Sequence, residues 1–96
     1  MASISNDILA SYAADAALEV DGVQRLVESA LPRSKGVRVL DEDGRVQVEV
    51  QLALVWGAPI PSVGAAVQRR VADYLSRMAD IEAVRVDVVI AEIGPP

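Results

Sequence analysis

Residues 45–56 read Arg-Val-Gln-Val-Glu-Val-Gln-Leu-Ala-Leu-Val-Trp, and their alternation decides the fold. Successive side chains of an extended strand point to opposite faces. Val46, Val48, Val50, Leu52, Leu54 and Trp56 therefore share one apolar face, while Arg45, Gln47, Glu49, Gln51, Ala53 and Val55 share the other. A strand divided in this way has a core on one side and solvent or a partner on the other. The same parity predicts that the Trp56 indole closes the open end of an aliphatic core.

Working back from this strand, Asp41-Glu42-Asp43-Gly44 is a turn signal. The run Gly36–Leu40 before it also alternates, with Val37 and Val39 on one face, so a hairpin is expected. Working forward, Val55-Trp56-Gly57-Ala58-Pro59-Ile60-Pro61-Ser62-Val63 reads as a corner. In it Gly57 permits the turn, and Pro61 suits the first turn of a helix. Trp56, Gly57, Ile60 and Pro61 are the residues expected to define that corner. Ile60, Val63, Val67, Val71, Tyr74, Leu75 and Met78 then recur at helical spacing, with Gln68, Arg69, Asp73 and Arg77 toward water. Val84, Val86, Val88 and Ile90 alternate with Arg85, Asp87, Val89 and Ala91, a third strand.

Near the start, Ser5 is an N-cap candidate with Asp7 in the first turn. Ile4 and Leu9 stand at the positions of a hydrophobic staple. The apolar stripe Ile8, Leu9, Tyr12, Ala13, Ala16, Ala17 and Val20 predicts a helix over 6–20, ended by Gly22. Residues 23–35 read as a connector with some helical character.

The order is α-β-β-α-β, one domain over residues 1–96. Its class is α+β: a two-layer domain, with a three-stranded sheet and two helices packed on one face. The opposite face would carry Arg38, Gln47, Glu49, Gln51, Arg85 and Asp87, and is the expected interaction face.

Composition excludes much chemistry. The chain has no Cys and no His, so thiolate and imidazole catalysis and most transition-metal sites are missing. One Trp, two Tyr and no Phe leave a core of Val, Leu, Ile and Ala. A net charge of −5 opposes broad binding to phosphate backbones. The acidic tip fails as a calcium loop, because the twelfth place counted from Asp41 is Leu52 rather than Glu. Ser5, Ser11, Ser29, Ser34, Ser62 and Ser76 have no His to activate them, and Lys35 is a lone weak candidate base. No catalytic residue, metal or cofactor is expected, and the chain is not expected to be an enzyme. Arg69 and Asp73 are spaced for an ion pair on the second helix. The element order is close to one arrangement of the KH domain, but the GxxG loop that grips single strands does not occur. Residues 1–7 show no signal-peptide pattern and no stretch has the length of a membrane span, so a soluble cytoplasmic protein is expected.

Three stretches together resemble the alkaline-shock or envelope stress response proteins, a bacterial general-stress family. The first is the Ala-rich helix ending Leu18-Glu19-Val20-Asp21-Gly22-Val23. The second is Lys35-Gly36-Val37-Arg38-Val39, then the acidic turn and the Val-rich strand. The third is Trp56-Gly57-Ala58-Pro59-Ile60-Pro61-Ser62-Val63, then a helix and a terminal Val-x-Val strand. Trp56 stands where many members have Tyr, and the Lys-rich tails of several members are missing. The resemblance implies a non-enzymatic protein that self-associates and gathers at the cytoplasmic membrane face through a membrane-anchored partner. Nucleic-acid binding and direct membrane insertion are not expected either, from the net charge of −5, the missing GxxG and the lack of a run of membrane-span length. The alternative is a ring- or assembly-building module of a membrane-associated machine, with a KH-like nucleic-acid domain behind it.

Overall fold

The computed structural model describes residues 5–28, 36–42, 45–79, 81 and 83–95. The elements are α1 (Asn6–Leu18), β1 (Val23–Leu26), β2 (Val37–Glu42), β3 (Arg45–Leu54), α2 (Ile60–Ala79) and β4 (Ala83–Ile93). The proposed staple residue Ile4, residues 29–35 with Lys35, and the turn residues 43–44 lie outside the described residues.

Helix α1 starts where expected. The Ser5 hydroxyl accepts the Ile8 N–H at 3.2 Å, and Asp7 lies in the first turn. Its end comes at Leu18, earlier than Val20. The chain then bends through Gly22, whose φ of +97° favours glycine.

The sheet is organised around β3. β4 pairs with it in parallel along its whole length, from Arg45 opposite Ala83 to Leu54 opposite Ile93. β2 pairs antiparallel with the first part, Val37 opposite Val50 and Glu42 opposite Arg45. β1 pairs antiparallel with the last part, Leu26 opposite Leu52 and Val23 opposite Leu54. Since β4 occupies one edge of β3 throughout, β1 and β2 share the other edge end to end. The expected three-stranded sheet is thus four strands in three lanes. The connector reading is corrected here: residues 23–26 form a strand. Spacing over four residues does not separate helix from strand, and the backbone of Leu52–Leu54 needs a partner on that edge.

Both helices cover the same sheet face. α1 lies over β1, β2 and β3, α2 lies over β4, and the helices touch each other. Ala13, Ala16 and Ala17 are fully buried where α1 meets this layer. Tyr12 and Tyr74 meet edge to face across the helices, 5.8 Å between ring centroids. The core joins Leu9 and these alanines to Val37, Val46, Val48, Val50, Leu52, Leu54 and Val86. Val63, Val67, Val71 and Leu75 of α2 complete it. The even positions of β3 therefore face the helices, as their alternation requires.

Trp56 does not join them. β3 ends at Leu54; the Val55 N–H donates to the Gly22 carbonyl at 2.9 Å, and the Ala58 N–H to the Val55 carbonyl at 3.2 Å. The chain turns one residue before the indole, with Gly57 at φ +82°, and Trp56 is 63% exposed. The expectation that Trp56 closes the core is overturned, because side-chain alternation lasts only as long as the strand. Ile60 and Met78, expected in the apolar stripe, are 40% and 50% exposed at the two ends of α2. Pro61 lies in the first turn of α2, where its missing N–H costs no helical bond.

Candidate interaction surface

The odd positions of β3 build the face away from the helices. Register aligns Arg38, Glu49 and Asp87 in one row across the three lanes, and Leu40, Gln47 and Arg85 in the next. Gln51 lies opposite Val89, and Ala53 lies between Arg25 and Glu92. The expected interaction residues Arg38, Gln47, Glu49, Gln51, Arg85 and Asp87 thus come together on one surface.

Side-chain bonds knit this face. The Gln47 amide donates to the Asp87 carboxylate at 2.7 Å. The Gln51 amide donates to Glu49 at 3.3 Å, and Arg85 Nε pairs with Asp87 at 3.3 Å. The Gln47 hydrogen bond, with further help from the Arg85 guanidinium, holds the Asp87 carboxyl below the usual carboxylate range against a smaller opposing effect of desolvation. Charges balance across the surface. Arg25, Arg38, Arg45 and Arg85 stand against Glu42, Glu49, Asp87 and Glu92, so the face is formally neutral on a chain of net charge −5. Its exposed apolar members are Leu40 (51%) and Val89 (42%).

Sequence reading misses two contributors to this face. Arg25 and Glu92 form an ion pair that crosses the sheet over Ala53, which is fully buried although it belongs to no core cluster. Arg25 is hidden because its segment reads as a connector; Glu92 is brought onto this face by a register shift between Leu52 and Ala53. Gln68, expected toward water, is exposed, and its side-chain amide also donates to the Val86 carbonyl at 3.1 Å. The expected Arg69–Asp73 ion pair is replaced by one between Arg77 and Asp73, also one turn apart.

The exposed corner borders a second feature, a broad surface depression of about 1390 Å³. Trp56, Gly57 and Pro59 line one part, Arg69 and Arg70 another, with Glu19 and Asp21 on the α1 side. Arg70 reaches Glu19 at 3.5 Å. Opposite charges are mixed along this depression. Among the described residues no group of three or more carboxylates is placed to hold a metal. Nor is any described helix long and apolar enough to cross a membrane.

Comparison with known proteins adds a family and a fold. Residues 1–95 match the family model of the alkaline shock proteins, a family described by a cell envelope-related function. No curated protein gives a match. Solved structures of MamM CTD variants are similar in fold. One has 15% identity and a TM-score of 0.62, over 93% of this chain and 95% of that one. A second has 19% identity at the same TM-score of 0.62, over 92% and 95%. A MamM CTD variant in a nickel form has 14% identity and a TM-score of 0.62, over 93% and 99%. At such identities the likeness concerns the fold alone.

Proposed function

The chain belongs to the alkaline shock protein family, whose function is related to the cell envelope, and from that premise we propose that it is a non-enzymatic, self-associating interaction domain. It works at the cytoplasmic face of the membrane, held there by a membrane-anchored partner protein. The surface for self-association is the sheet face opposite the helices.

The observation that supports this reading is the charge balance of that face. Two copies meeting through other surfaces bring together the negative charge of the chain, and like charges repel. Two copies meeting through this face oppose equal numbers of arginines and carboxylates, with Leu40 and Val89 as apolar anchors. Area sets the strength. β3 has 10 residues, and three lanes of that length project roughly 450 Å² at usual strand spacings. A standard interface buries about 800 Å² per partner. The association is therefore weak, and partner binding adds to it.

Sedimentation velocity at tens to hundreds of micromolar tests this. The parent sediments above the monomer. Gln51→Lys and Arg85→Glu return it to monomer with an unchanged far-ultraviolet circular dichroism spectrum. A parent that stays monomeric throughout that range refutes the self-association reading.

A further inference from the structure

The outer edge of β4 has no strand beside it among the described residues, and its backbone geometry shows what it offers. Residues of β3 alternate between its two neighbours. Gln51 serves the β1–β2 side: its N–H donates to the Gly36 carbonyl at 2.8 Å, and its carbonyl accepts the Val27 N–H at 2.9 Å. Val50 and Leu52 therefore serve β4. In a parallel ladder each bonds to the residues flanking its partner, Val88 or Ile90. Those are Asp87, Val89 and Ala91. The N–H and C=O groups of Val84, Val86, Val88 and Ile90 consequently point away from β3, toward the open edge. The bond from Gln68 to the Val86 carbonyl agrees with this orientation.

This edge also has a roof. Two packed helices span about 20 Å, whereas three lanes about 4.8 Å apart cover only about 14 Å. α2 lies over β4, and its Gln68 reaches beyond the strand to an outward carbonyl. Gly64 and Ala72, one turn either side of Gln68, make this flank of α2 low, and a Cβ added at Gly64 would meet nothing within 4 Å. Beneath it, Val84, Val88 and Ile90 are only half-buried, while Val48, Val50 and Leu52 in the next lane are fully buried. Between Val84 and Ile93 the strand carries no Lys or Pro, the residues that commonly block an edge.

We propose that the β4 edge accepts an extended peptide segment of a partner protein as a fourth lane of the sheet. Backbone hydrogen bonds supply much of the affinity, and the Gln68 amide gives way as the peptide takes the Val86 carbonyl. Alternate apolar side chains of the peptide go under α2, beside Val84, Val88 and Ile90. The intervening side chains lie on the outer face beside Arg85 and Asp87, which favour an acidic and a basic residue respectively. A second copy of this chain does not fit. Pairing two β4 strands places them about 4.8 Å apart, while their overhanging α2 helices need about 8–10 Å between axes. This surface is separate from the sheet face assigned to self-association.

The test uses a nine-residue peptide alternating valine with glutamate and lysine, titrated into the full chain by calorimetry. Two further versions carry N-methyl groups, one on every valine and one on every charged residue. Only one of these sets turns its N–H groups toward β4. Binding of the parent peptide, with at least a tenfold loss for one methylated version and none for the other, is the expected result. Gln68→Ala, which removes the competing amide, should tighten binding several-fold. Hydrogen exchange at Val88 and Ile90 should slow when the peptide is bound. The monomeric Gln51→Lys variant should bind the peptide as the parent does. No binding of the parent peptide at millimolar concentration, or equal binding of all three versions, overturns the proposal.

Discussion

Replacing Trp56 by alanine separates an exposed corner from a core plug. A buried large aromatic lost to alanine costs about 3–5 kcal/mol. Trp56 is 63% exposed, so of roughly 250 Å² for a tryptophan side chain only about 90 Å² is withdrawn from water. At about 25 cal/mol per Å² that burial contributes at most about 2 kcal/mol, since the unfolded chain already shields some of it. Alanine retains part of the contact, which leaves a loss of about 1 kcal/mol, or about 4–8 °C in Tm for a domain this size. Urea unfolding followed by far-ultraviolet circular dichroism measures the difference without relying on the removed fluorophore. In the parent, acrylamide should quench the indole emission strongly, though less than that of an indole free in water, because over a third of the residue is shielded. A loss of about 3 kcal/mol or more, within the range for buried aromatics, together with a shielded indole, refutes the exposed-corner reading.

Leu52→Ala strikes the opposite kind of site, a side chain with no exposure in the core between sheet and helices, and should cost roughly 2.5–5 kcal/mol by urea unfolding. Gly22→Ala should cost roughly 1–3 kcal/mol in the same assay. Its backbone is at φ +97°, and the added Cβ would stand 2.8 Å from a Val63 methyl. Asp87 links stability to pH. Its folded pKa is lowered, first by the Gln47 hydrogen bond and then by Arg85, so its contribution is fully present above the unfolded pKa. It is lost as the pH falls from about 4 through the lowered folded value. Urea midpoints measured across that window should fall less steeply in Asp87→Asn than in the parent.

The elements that were legible in the sequence are those whose own residues carry the period. The valines of β3 alternate over 10 residues, and Val63, Val67, Val71 and Leu75 repeat over the length of α2. Each pattern needs one apolar surface, so two helices on one sheet face followed from them, and so did the shared outer face of Arg38, Gln47, Glu49, Gln51, Arg85 and Asp87. Parity within a strand is a local property, set by backbone geometry, and it transfers directly to which side each residue occupies.

Where elements meet, the sequence was silent. Val23-Gln24-Arg25-Leu26 is too short to show a period; it becomes a strand because the far end of β3 has an edge that β2 does not reach. Arg25 and Glu92, 67 residues apart, join only once that pairing exists. Trp56 has the parity of a core residue, yet the turn closed by the Ala58 N–H on the Val55 carbonyl, with Gly57 at positive φ, takes the chain out of the strand before it. The open β4 edge, roofed by α2, has no signature in the residues of either element. Composition and periodicity determined which surfaces had to be buried. Backbone hydrogen bonds between distant segments decided where strands stop and which edges stay open, because each buried N–H and C=O must find a partner that no local pattern names.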